Sequence, residues 1–111
     1  MDPNRTKLRE ARAVSYQKEF PDFPPADMPA MPAQGDFIDV SWHNDAYSSI
    51  ASDALGLRVW IDFADKSVRE FEDGPRFIIV REDEGVVFGN AILETDDWDE
   101  VLAILEQERL K

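Results

Sequence analysis

Residues 44–56 read NDAYSSIASDALG, and their reading fixes what joins the first strand of this chain to the next. Tyr47, Ile50, Ala51, Ala54 and Leu55 fall at i, i+3, i+4, i+7 and i+8, one face of a short helix. Asn44 or Asp45 stands at the N-cap, where a side-chain oxygen accepts an otherwise unpaired amide proton. Gly56 stands where a left-handed residue stops a helix. The stretch therefore predicts a helix over residues 46–55.

Immediately upstream is His43, the only histidine of the chain. With Asp45 and the nearby Ser48 or Ser49 it has the residue types of a general base, its orienter and a nucleophile. The structural reading is preferred, because neighbours this close along one chain rarely face one another correctly. No glycine-rich nucleophile elbow accompanies them.

Working outward, residues 37–42 alternate, with Ile38, Val40 and Trp42 on one side and Asp39 and Ser41 on the other, a half-buried strand. After Gly56, Leu57, Val59, Ile61 and Phe63 share one face, and Arg58, Trp60 and Asp62 the other. Residues 76–81 are continuously apolar inside, as in a strand buried on both faces. Residues 82–85, EDEG, make a hairpin loop, and residues 86–93 return as a fourth strand in which Gly89 marks a bulge. Between the second and third strands, residues 64–75 form a long connection. Asp65 caps a helical turn there, and Val68 and Phe71 serve as its apolar anchors.

The last helix is the clearest element. Trp98, Val101, Leu102 and Leu105 fall at i, i+3, i+4 and i+7, with Ile104 alongside. Thr95 or Asp96 caps it, acids crowd its first turns and Arg109 and Lys111 its end, as the helix dipole favours.

The chain before this region is different. Residues 4–20 carry a weak helical stripe of Leu8, Ala11, Val14 and Tyr16. Residues 21–35 hold five of the seven prolines, an extended connector with Phe23, Met28 and Met31 to lay against a surface. The expected fold is a two-layer α+β domain over residues 36–111, in the order β-α-β-β-β-α. A mostly antiparallel four-stranded sheet carries the C-terminal helix on one face. Residues 1–35 precede it as a helix and proline-rich arm.

Composition narrows the function. Of 111 residues, 43% are hydrophobic, so a folded core is expected. The absence of cysteine excludes disulfides, thiolate metal sites and a cysteine nucleophile, and suits a cytoplasmic location. No secretory signal or membrane-spanning run is visible. Residues 1–20 hold five bases and three acids (+2), and the remainder holds 21 acids against 7 bases (−14). Such a body repels nucleic acid and anionic membrane and attracts a basic protein.

No catalytic, cofactor-binding or metal-ligating motif is recognised, and no enzymatic activity is expected. The candidate interface residues are of two kinds. Trp60, Arg58 and Ile78 are expected on the sheet face away from the core, where a covering helix is the preferred reading and an interface, to which tryptophan and arginine are suited, the alternative. Glu94, Asp96, Asp97, Asp99 and Glu100 form an acidic cluster that reads either as a solvated helix start or as a phosphate-like patch. The expected function is that of a small acidic, non-enzymatic interaction protein, such as an inhibitor, immunity-type partner or DNA mimic that meets a basic protein. The alternatives are a self-associating accessory domain, a homodimer, and a small hydrolase using His43.

Overall fold

A computed structural model describes residues 16–111. Its elements are α1 (Tyr16–Glu19), β1 (Ile38–Asp39), β2 (Ser48–Ser52), β3 (Leu57–Ile61), β4 (Phe77–Asp83), β5 (Val86–Thr95) and α2 (Trp98–Arg109), with 3₁₀ turns at Pro25–Asp27 and Lys66–Val68. The class is α+β, as expected. The five strands form one sheet in chain order, β1-β2-β3-β4-β5, every pair antiparallel. Apart from residues 16–20, the expected N-terminal helix lies outside the described residues.

The expected helix over residues 46–55 is a strand. Ser48–Ser52 pairs with β1 on one side and β3 on the other, so the sheet has five strands rather than four. Its serines hide the alternation of a strand because they are buried where apolar residues normally stand. Two of the three hydroxyls find a backbone partner, and Ser49 Oγ has none among the described residues. Ser48 Oγ donates to the Ile61 carbonyl at 2.7 Å, and Ser52 Oγ donates to the Gly35 carbonyl and accepts the Leu55 amide. Ser49 N–H donates to Ser41 Oγ at 3.1 Å. A buried hydroxyl with a partner escapes the penalty of an unsatisfied one. The helical signal in Asp53, Ala54, Leu55 and Gly56 survives as one turn closing the β2–β3 hairpin. There Gly56 N–H donates to the Ser52 carbonyl at 2.9 Å and Gly56 takes the left-handed φ of +66°.

The first strand is shorter than expected, Ile38–Asp39, although Val40 N–H still donates to the Ser49 carbonyl at 3.0 Å. The third and fourth hairpin strands match expectation more closely. Glu84 (φ +52°) and Gly85 (φ +80°) form a two-residue turn with both φ values positive, the type I′ geometry that matches strand twist. The bulge is larger than Gly89 alone. Ile79 faces Leu93 and Arg81 faces Phe88, so Val80 stands opposite residues 89–92 and β5 carries three surplus residues.

One face of the sheet buries Ile50, Leu57, Val59, Ile61, Phe77 and Ile79 against Val101 and Leu105 of α2. Each such side chain contributes about 1.5–3 kcal/mol of burial. The helix lies on β4 and β5, with Trp98 against Phe77 at 5.1 Å between ring centroids. Its cap is Asp97, whose carboxylate accepts the Asp99 amide at 2.9 Å, one residue later than expected. Thr95 Oγ1 supports that corner by accepting the Asp97 amide. The proline-rich arm completes the same layer. Phe23 and Phe37 are buried in the core, and Phe23 packs on Tyr16 and Phe63 at 5.7 and 5.0 Å. Among the described residues no helix is long and apolar enough to cross a membrane.

Candidate interaction surface

The connection between β3 and β4, residues 64–75, is organised around one buried cation. Asp65 opens it as a cap, its carboxylate accepting the Ser67 amide at 2.9 Å and the Ser67 hydroxyl at 2.7 Å. These bonds hold the Asp65 carboxyl below its ordinary range, so it stays ionised. The 3₁₀ turn Lys66–Val68 then delivers Arg69 inward. Its guanidinium donates to the carbonyls of Phe63, Gly74 and Ala64 at 2.6, 2.9 and 3.2 Å. Asp96 lies 3.7 Å from it and supplies the countercharge, while also accepting the Arg76 amide at 2.7 Å. Three carbonyls on one planar fork fix the loop's path.

Val68 and Phe71, expected as anchors, are not anchors. They are 54% and 59% exposed, and Arg69 does the anchoring. Around them the loop displays Asp65, Glu70, Glu72 and Asp73, all exposed. On the Val68 side a cleft of about 470 Å³ opens between loop and arm, lined by Asp22, Pro24, Asp27, Phe63, Asp65 and Val68. The arm is tied to this wall twice. Asp27 accepts the Ala64 amide at 3.0 Å, and Arg76 donates to the Asp27 carbonyl at 2.6 Å. The result is an apolar floor and two exposed apolar side chains among carboxylates.

The candidate residues on the second sheet face lie where the alternation put them. Trp60 stands opposite Ile78 and Ser49, and Arg58 opposite Val80 and Ala51. Ser49, Ala51 and Val80 are buried, and Trp60 and Ile78 half-buried. Arg58 is engaged within the face: its guanidinium stacks on Trp60 at 4.8 Å and its Nε lies 2.9 Å from a buried Glu82 carboxylate. Tyr47 meets the Trp60 edge at 6.2 Å. Asp62, on the same side, is buried, and that burial pushes its carboxyl above the ordinary range against the pull of the Phe63 amide and Arg69. Burial, then the charges of Asp62 and Glu70, raises the Tyr47 phenol.

The acidic cluster divides. Asp97 is spent on the α2 cap, Asp96 on Arg69 and Arg76, and Glu100 accepts the Thr95 hydroxyl at 2.6 Å. Glu94 and Asp99 are exposed.

His43 is exposed and sits outside the sheet. Its Nδ1 and its amide both reach Glu19 Oε1, at 2.8 and 3.1 Å, and Trp42 packs on its ring at 4.4 Å. The imidazole contact holds Glu19 below the ordinary carboxylate range. His43 Nδ1 meets Glu19 rather than Asp45, and Ser48 and Ser49 are buried in β2. Among the described residues no group of three or more acidic or histidine side chains is placed to hold a metal ion.

The anchoring of this loop by Arg69 was the part that the sequence reading missed. Its signal was present: an arginine between exposed-type acids, in a connection closed by Asp73-Gly74-Pro75, offers the donors that a loop with many unpaired carbonyls needs. No protein family model matches the chain, and neither a curated protein nor a solved structure matches it.

Proposed function

We propose that this protein is a non-enzymatic interaction module that docks its 64–75 loop and the adjoining cleft onto a basic protein surface. One observation carries the reading: Val68 and Phe71 are held out to solvent by a loop whose backbone is pinned from inside by Arg69. A pre-ordered loop spends little entropy on binding, and apolar side chains within a charged rim make a binding centre. The carboxylates of Asp22, Asp65, Glu70, Glu72 and Asp73 choose the partner's sign. The −14 carried by residues 21–111 speeds the encounter and turns away nucleic acid and anionic membrane. A partner lysine or arginine stem fits the cleft, its alkyl part on Phe63 and Pro24 and its head among the acids. Occupying a basic groove in this way is how an inhibitor or immunity-type protein acts. A chain without cysteine suits the reducing cytoplasm for that work.

The test is capture of binding proteins by the full chain and by a Val68→Ser/Phe71→Ser variant, at low and raised salt. The expected result is recovery of basic proteins at low salt by the parent chain, with loss on adding salt and loss in the variant. Recovery unchanged by the double substitution, or of acidic proteins stable to salt, rejects the reading.

A further inference from the structure

The two edges of the sheet are treated differently. At the β1 edge the strand is only two residues long, and Asp39 closes it with its own side chain, accepting the Tyr16 amide at 2.8 Å and the Ser41 amide at 3.0 Å. The β5 edge has no such cover among the described residues. Residues 86–91 are all exposed, and Val86, Val87 and Phe88 expose 64%, 41% and 50% of their surface. Natural edge strands are commonly blunted by charge, above all lysine. Here residues 85–93 carry no charge at all, in a chain that is 32% charged.

We propose that the β5 edge at Val86, Val87 and Phe88 pairs antiparallel with the same segment of a second copy, joining two sheets about a two-fold axis. Hydrogen-bonding phase supports it. Asp83 and Val86 close the two-residue turn and form a bonded pair, so Val87 is in the non-bonded position and its N–H and C=O point away from β4. Val87 placed opposite Val87 of the second copy makes these groups each other's partners.

Side-chain chemistry supports it too. In that register Val86 meets Phe88 of the second copy and Phe88 meets Val86, which gathers four exposed apolar side chains on one side, with the two Val87 side chains on the other. Aromatic and β-branched cross-strand pairs are favourable contacts in sheets. Charge selects self over a basic partner. Residues 85–93 carry no charge, so no carboxylate faces another within the paired segment. A basic surface finds nothing to pair with along this edge. The surplus residues at 89–92 limit the pairing to a short segment, so the dimer forms reversibly with concentration.

This inference is independent of the partner proposed above, and the two respond to salt in opposite directions. Salt screens repulsion between two acidic copies and so favours the dimer, whereas it weakens docking on a basic protein. The experiment is sedimentation equilibrium of the full chain over a concentration series at low and raised salt, with Val87→Lys and Phe88→Glu as variants. Both residues are substantially exposed, and matched thermal melts check that the variants fold. The expected result is a mass that rises toward twice the monomer, further at raised salt, with association weakened about tenfold or more in each variant. Amide exchange of the parent chain gives a second readout, with protection of the Val87 N–H rising as the dimer fills. A monomer under every condition overturns the proposal. So does a dimer that both variants leave unchanged, or one that forms without protecting Val87.

Discussion

At the scale of single residues, the informative ones are polar groups held where apolar ones are the norm. Asp62 is 4% exposed and, among the described residues, has the Phe63 amide, at 2.7 Å, as its close hydrogen-bond donor. Burial raises its carboxyl above the ordinary value of 3.8, so the folded chain holds that proton more firmly than the unfolded one. Stability from this group therefore falls as pH rises through the window above 3.8, and at neutral pH the carboxylate is carried at a cost. Asp62→Asn keeps an oxygen for the Phe63 amide and removes the charge. We expect a higher melting temperature than the parent at neutral pH, with the gain shrinking as the solution is acidified below that window. The same substitution removes one charge that lifts the Tyr47 phenol, so ultraviolet titration of Tyr47 is expected to shift downward. The buried serines of β2 belong to the same class. They made the strand illegible, because residue types with high helical tolerance and low hydropathy carried no period-two signal. What settled the conformation was distant backbone, the carbonyls of Ile61 and Gly35, which no local pattern announces.

At the scale of elements, legibility followed how much each segment relied on its own side chains. The strand β3 and the helix α2 bury their own alternating or 3.6-period residues, and both were readable. The 64–75 loop does not bury Val68 or Phe71 and is held by the Arg69 fork, a contact between a side chain and backbone that periodicity does not encode. Removing that fork tests how much it holds. Arg69→Met keeps the aliphatic stem but leaves the Phe63, Ala64 and Gly74 carbonyls without this donor and Asp96 without this cation. We expect a loss of about 3 kcal/mol in chemical denaturation, the scale for breaking a buried charged network. Limited proteolysis is expected to cut within residues 64–75 in the variant before the parent chain is touched.

At the scale of the whole molecule, charge is the dominant variable. Twenty-four acids against 12 bases leave a net charge of −12, and a compact state with that excess repels itself. Local pairs such as Arg81–Glu108 at 3.1 Å and Arg58–Glu82 at 2.9 Å relieve only part of it. We expect the midpoint of thermal unfolding to rise as sodium chloride is added from low to physiological ionic strength. A midpoint that falls with salt would mean that attractive pairs outweigh the general repulsion. The class of fold and the sign of the surface were legible from composition and alternation. The candidate surface around Val68 and Phe71 was not, because it depends on which apolar residues the fold declines to bury.

The surplus of three residues in β5 has a consequence of parity. Side chains alternate between the two sides of a sheet in steps of two, so an odd insertion puts everything beyond it out of step with everything before. That offset carries Val86 and Phe88 round to the side of Arg81 and Ile79, past the end of the covering helix, where they stay wet. Shortening or lengthening this segment by a pair of residues keeps that arrangement. Changing it by one is absorbed between residues 89 and 92, because the two-residue turn ties Val86 and Phe88 to Asp83 and Arg81 whatever the length beyond them.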